Sequence, residues 1–134
     1  MKPLTAYPSY LVFDGLVPLD VVGYYWECNS SASEESCSGM MSMVPVVYFV
    51  LSPDTTPRMV KIGNTFNMLR RMEELKVRVP GRLLLMCLVP YGNMRHAQQG
   101  ERHFHKHFNA SRSHGEWFRW SEEIIEFIKE YRYA

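Results

Sequence analysis

VVYFVLSPDTTPRMVKIGNTFNMLRR, residues Val46 to Arg71, is the stretch whose reading decides the fold. VVYFVL is an unbroken run of β-branched, aromatic and aliphatic residues, the composition of a strand buried on both faces. SPDTTP is a polar loop with two prolines. RMVKIG alternates more, with Val60 and Ile62 on one face and Met59 and Lys61 on the other. A Gly-Asn turn at Gly63-Asn64 then leads into a helix. Closing the loop on Leu51 and Arg58 sets Tyr48 directly opposite Lys61, at about 5 Å between β-carbons. An ammonium beside a phenol favours the phenolate and makes the tyrosine a better base. The plainer reading of the same two residues is a packing pair on a half-exposed sheet face.

Working outward, the helix is expected over Asn64–Val79, with Met68, Leu69, Met72 and Leu75 as its apolar stripe and Pro80-Gly81 as its stop. Asn67 and Arg71 share a side of it, off that stripe. An arginine at a helix start, turned back over a sheet, suits a phosphate. The plainer role is a solvated arginine beside Glu74. RLLLMCLV (82–89) reads as a third buried strand. A second helix is expected from about Arg95 to Phe108, where Ala97, Glu101, Phe104 and Phe108 fall on one stripe. A carboxylate inside an apolar stripe is costly unless it is paired or metal-bound. The plainer reading places Glu101 at the stripe's edge, paired with Arg or His. His103 and His107 share a helix face, but no nearby Cys pair completes a tetrahedral zinc site. His105 follows Glu101 by four residues, on its side of the helix.

NASRSHGEWFRW (109–120) is a loop and short strand in which Trp117 and Phe118 read as core and Trp120 as more open, able to stack on a base. Ser121 is a good N-cap, and Ile124, Ile125, Ile128 and Tyr131 face a closing helix inward. At the other end, YLVFDG and PLDVVGYYW are apolar segments that read as short strands, the second alternatively as a short helix, followed by a serine-rich loop or linker at 27–43. The chain thus divides into an extension over residues 1–43 and a main domain over 44–134. The extension is open to several uses: covering a sheet edge, contacting substrate or mediating dimerisation.

Composition narrows the field. A chain of 134 residues, 46% hydrophobic, has one domain's length and can bury a full core. A net charge of +1 makes any nucleic-acid surface a local patch. No run of 18 apolar residues suggests a membrane span, and the N-terminus makes a poor signal peptide. Cys28, Cys37 and Cys87 are an odd set, simplest as reduced thiols in an intracellular protein, cytoplasmic or in a host-cell nucleus.

V-Y-F (47–49), K-I-G (61–63), N-x-x-x-R (Asn67, Arg71), E-x-x-x-H-x-x-F (Glu101, His105, Phe108) and R-x-x-G-E-W-F (112–118) occur in that order. The pattern resembles the GIY-YIG nuclease superfamily, in particular its small stand-alone phage and viral branch ending in G-E-W-F. The resemblance implies an α+β fold, sandwich-like, with a three-stranded antiparallel sheet flanked by helices. It implies one divalent metal, Mg²⁺ or Mn²⁺, and hydrolysis of DNA phosphodiester bonds. Carried onto this chain, Tyr48 is the general base, Arg71 stabilises charge on the phosphate and Glu101 holds the metal. Lys61 assists Tyr48 or the water, and His105 orients water or phosphate. Asn67, Arg70, Arg112 and Trp120 are the candidate substrate contacts. Here the first motif reads V-Y-F, and Lys61 replaces the second motif's tyrosine. One site per chain requires two chains, as in a homodimer, or two visits for a double-strand break. The alternative is a fold kept as a binding module for nucleic acid or a host protein.

Overall fold

The fold, a computed structural model, describes residues 12–18 and 42–133. The readings of PLDVVGYYW, of the serine-rich linker, and of Cys28 and Cys37 fall largely or wholly outside the described residues. The architecture is α+β: β1 (Val12–Pro18), β2 (Ser42–Ser52), β3 (Met59–Asn67), α1 (Met68–Arg78), β4 (Leu84–Pro90), α2 (Met94–His107), a 3-10 turn (Asn109–Ser111), β5 (Arg112–His114), β6 (Trp117–Arg119) and α3 (Glu122–Tyr133). Among the described residues the sheet has six strands in the order β1-β4-β2-β3-β6-β5, all neighbours antiparallel. The three strands expected from the resemblance form its centre; β1 extends one side and the β5–β6 hairpin the other. β1 belongs to the stretch read as an extension, and it covers the edge of β4.

The centre buries both faces, as an unbroken apolar run requires. Val46, Tyr48 and Val50 face Met68, Met72 and Leu75 of α1. Val47, Phe49 and Leu51 face Phe104, Phe108, Ile124 and Ile128 from α2, its C-cap and α3. Phe49, Phe104, Phe108 and Phe127 interlock with ring centroids 5.1 to 6.4 Å apart. Ile124 and Ile128 are buried as expected and Ile125 is half-buried. The side chain of Tyr131 lies outside the described residues. Cys87 is a buried free thiol on β4, and burial pushes its pKa up.

Two local readings are corrected. The β2–β3 ladder closes on Ser52 and Met59, so Tyr48 faces Gly63 and Lys61 faces Val50. A shift of two residues leaves every side chain on its original face, so alternation alone cannot select the register. The second correction is the Gly63-Asn64 turn. These residues stay in the ladder, paired with Tyr48 and Val47, and the strand runs on to Asn67. The helix begins at Met68 because Asn67, not Asn64, caps it: Asn67 Oδ1 accepts from Arg70 N at 3.1 Å.

Candidate active site at the open edge of β3

β6 pairs with β3 only over Met59–Lys61, with one further bond from Ile62 N to Glu116 O at 3.0 Å. Beyond Ile62 the edge of β3 that faces β6 has no ladder partner among the described residues. From the α1 face comes Tyr48. A β-carbon at Gly63 would sit 2.5 Å from Tyr48 Oη and 3.0 Å from Glu116 Oε1, so glycine is what lets both side chains close over the backbone here. Arg71, in the first turn of α1, donates from Nη1 to Tyr48 Oη at 3.0 Å and from Nε to Glu74 Oε1 at 3.0 Å. Two of its five donors are used in this way, and the rest of the fork is open to a ligand.

From the opposite face comes Glu101. Its helix is pinned by Ala97 and Phe104, both buried, so Glu101 rises along the same stripe to the rim of the sheet. Its Oε1 accepts from Asn64 Nδ2, and the Glu116 carboxylate lies near enough for its charge to act on it. Burial and the Glu116 charge raise the Glu101 pKa above the usual carboxylate range. Two adjacent carboxylates hold a proton between them, or accept a hard cation. Among the described residues no group of three or more His, Cys, Asp and Glu side chains is arranged to hold a metal. A divalent ion held by the Glu101 carboxylate would complete its shell with water and phosphate oxygens, as Mg²⁺ commonly does. The donor set fits such an ion.

The expected Tyr48–Lys61 partnership is not formed. Burial pushes the Tyr48 pKa up to about 12, against the lowering effect of Arg71. The cation at the phenol is Arg71, while Lys61 Nζ lies 3.7 Å from Glu116 Oε1 and 5.7 Å from the centre of the Trp117 ring. Trp117 is accordingly half-buried under Lys61 instead of core, and Phe118 is fully buried. His105 Nε2 donates to Ile62 O at 2.7 Å and lies 3.4 Å from Glu101 Oε2, with its ring on Phe118. It ties α2 to β3 beside the site.

The candidate substrate contacts separate. Asn67 serves the helix start, and Arg70 is exposed on the rim, its Nε 3.6 Å from Glu74 Oε2. Arg112 is exposed and donates from Nε to Gly115 O at 2.9 Å, bracing the turn before Glu116. Trp120 packs against the α2-side cluster, away from Tyr48, because it follows Phe118 by two residues and shares its face. Glu116, part of the G-E-W-F run, belongs to the site more closely than any of these. Its signal was the glycine before it: Gly115, at φ 55°, turns the hairpin so that the carboxylate points back at β3.

An α+β sheet that brings a phenol, a guanidinium and two carboxylates toward one strand edge defines a small domain with a polar site there. The T5orf172 domain matches residues 45–132, and the chain belongs to that family. No curated protein and no solved structure matches it significantly. No helix among the described residues is long and apolar enough to cross a membrane.

Proposed function

We propose that the chain is a metal-dependent endonuclease hydrolysing DNA phosphodiester bonds at a single site of GIY-YIG type. The observation that supports this best is that Tyr48 and Arg71 are hydrogen-bonded beside Gly63 while Glu101, from a third segment, is held by the next residue, Asn64. The open donors of Arg71 bind a non-bridging phosphate oxygen and stabilise the charge that grows there. Tyr48 Oη takes a proton from the attacking water. With a pKa near 12 the phenol is neutral at pH 7, so its own proton must leave as the new one arrives, toward the neighbouring Glu116 carboxylate. Glu101 would hold the divalent ion, which when bound neutralises charge on the phosphate and on the leaving oxygen. His105 and Asn64 hold Glu101 in place.

Supercoiled plasmid incubated with Mg²⁺ or Mn²⁺ should be nicked. Arg71→Ala and Glu101→Ala should each reduce the rate at least 100-fold, the scale of losing a preorganised charge at a transition state. The raised pKa of Tyr48 favours a second reading, a module that binds nucleic acid or a host protein without cutting. Salt-sensitive DNA binding by the wild type, with no cleavage of DNA or RNA under any divalent metal, would select that reading over the nuclease.

A further inference from the structure

We infer that Phe66 is a stacking platform for the base next to the cleaved phosphate. The inference rests on the nucleic-acid reading of the site. Phe66 is 47% exposed, one of two large hydrophobic side chains so exposed among the described residues. The other, Val77, stands on the surface of α1, where a single apolar side chain is ordinary. Phe66 differs in its surroundings. It lines a hollow of about 370 Å³ together with Asn64, Asn67, Arg70, Arg71 and Met94. Arg71 is the residue that holds Tyr48, and Asn64 the one that holds Glu101. Phe66 follows Asn64 by two residues on the same face of β3, a spacing of about 6.7 Å. A nucleotide adjoining the bound phosphate has that reach.

The chemistry of the hollow suits a nucleic-acid strand: an aromatic ring beside two guanidinium groups, both paired on one side with Glu74, which also lines it. A base has a π-face whatever its identity, so such a ring gives affinity without selecting sequence. Arg70, largely exposed on the rim, supplies the phosphate contact that accompanies the stack. Asn64 and Asn67 are committed to Glu101 and to the helix cap, which leaves the ring as the apolar element open to a base.

The test uses the full chain carrying Glu101→Gln, so that binding is read without cutting. The probes are an oligonucleotide duplex and its single strand, with 2-aminopurine placed at successive positions. Phe66→Ala should weaken binding by roughly 5- to 150-fold, the range for losing one base–aromatic stack. It should also abolish 2-aminopurine quenching at one position. Phe66→Trp should retain both, and Val77→Ala should change neither. Phe66→Ala should leave the salt dependence of binding unaltered, whereas Arg70→Ala should reduce its slope by about one. If Phe66→Ala binds and quenches like its parent, the platform is refuted while the nuclease reading stands. If the parent binds neither probe and the wild type nicks no plasmid, both fall together.

Discussion

Tyr48 reaches its position because the residue across the ladder has no side chain. Gly63→Ala would drive a methyl group to 2.5 Å from Tyr48 Oη, on a ring packed too firmly to move aside. The expected result is a stability loss of about 1–3 kcal/mol by thermal denaturation, with nicking lost far beyond what that destabilisation explains. Tyr48→Phe removes the hydroxyl and keeps the ring. It should cost about 1 kcal/mol, since Arg71 keeps Glu74 as a partner, and reduce nicking at least 100-fold. Tyr48, Arg71 and Glu101 stand out as candidates in the sequence because motif spacing carries them. The partner of Tyr48 was not. Registers two residues apart keep Tyr48 and Lys61 on one face, and only the loop decides between them. Glu116 was visible as a motif letter, but its arrival beside Glu101 depends on a hairpin too short for periodicity to report.

At the scale of elements, α2 has two tasks, closing the core with Phe104 and raising Glu101 to the rim. Phe104→Ala should destabilise the protein by about 3–5 kcal/mol in denaturant titrations. It should also weaken Mg²⁺ or Mn²⁺ binding, because the aromatic cluster fixes the helix that carries the carboxylate. The helix itself could be read from its 3.6-residue stripe. The start of α1 could not, because Asn64 and Asn67 are equally good caps on paper and the strand's pairing with β2 claims the first. The β2–β3 loop is tied down by Asp54, whose carboxylate takes hydrogen bonds from the Arg82 side chain and backbone. These bonds hold its pKa below the usual value. A carboxylate depressed in the folded state stabilises above its unfolded pKa, about 3.9, and that contribution disappears as pH falls through the folded value. Asp54→Asn should therefore lower Tm at neutral pH and lose its effect in acid, seen by calorimetry across that range.

On the scale of the whole molecule, the apolar runs of β2 and β4 announced a core on both faces of the sheet. The sheet's width was only partly legible: YLVFDG could be read as a strand over a sheet edge, but β5 and β6, three residues each, are too short to carry a pattern. β1 covers β4, a strand buried along its whole length. Removing residues 1–41 should leave the site's own elements in place and bare a flat apolar edge. The truncated chain should self-associate in analytical ultracentrifugation, with any nicking activity surviving in the fraction that stays monomeric.

Burial of the thiol at position 87 in the middle of the sheet has a practical corollary. A reagent such as iodoacetamide finds no thiolate there until β4 separates from its neighbours. Alkylation of the peptide containing Cys87, followed over time by mass spectrometry, is thus a stopwatch for the opening of the sheet, and slower labelling with oligonucleotide present would measure how far substrate holds the fold shut.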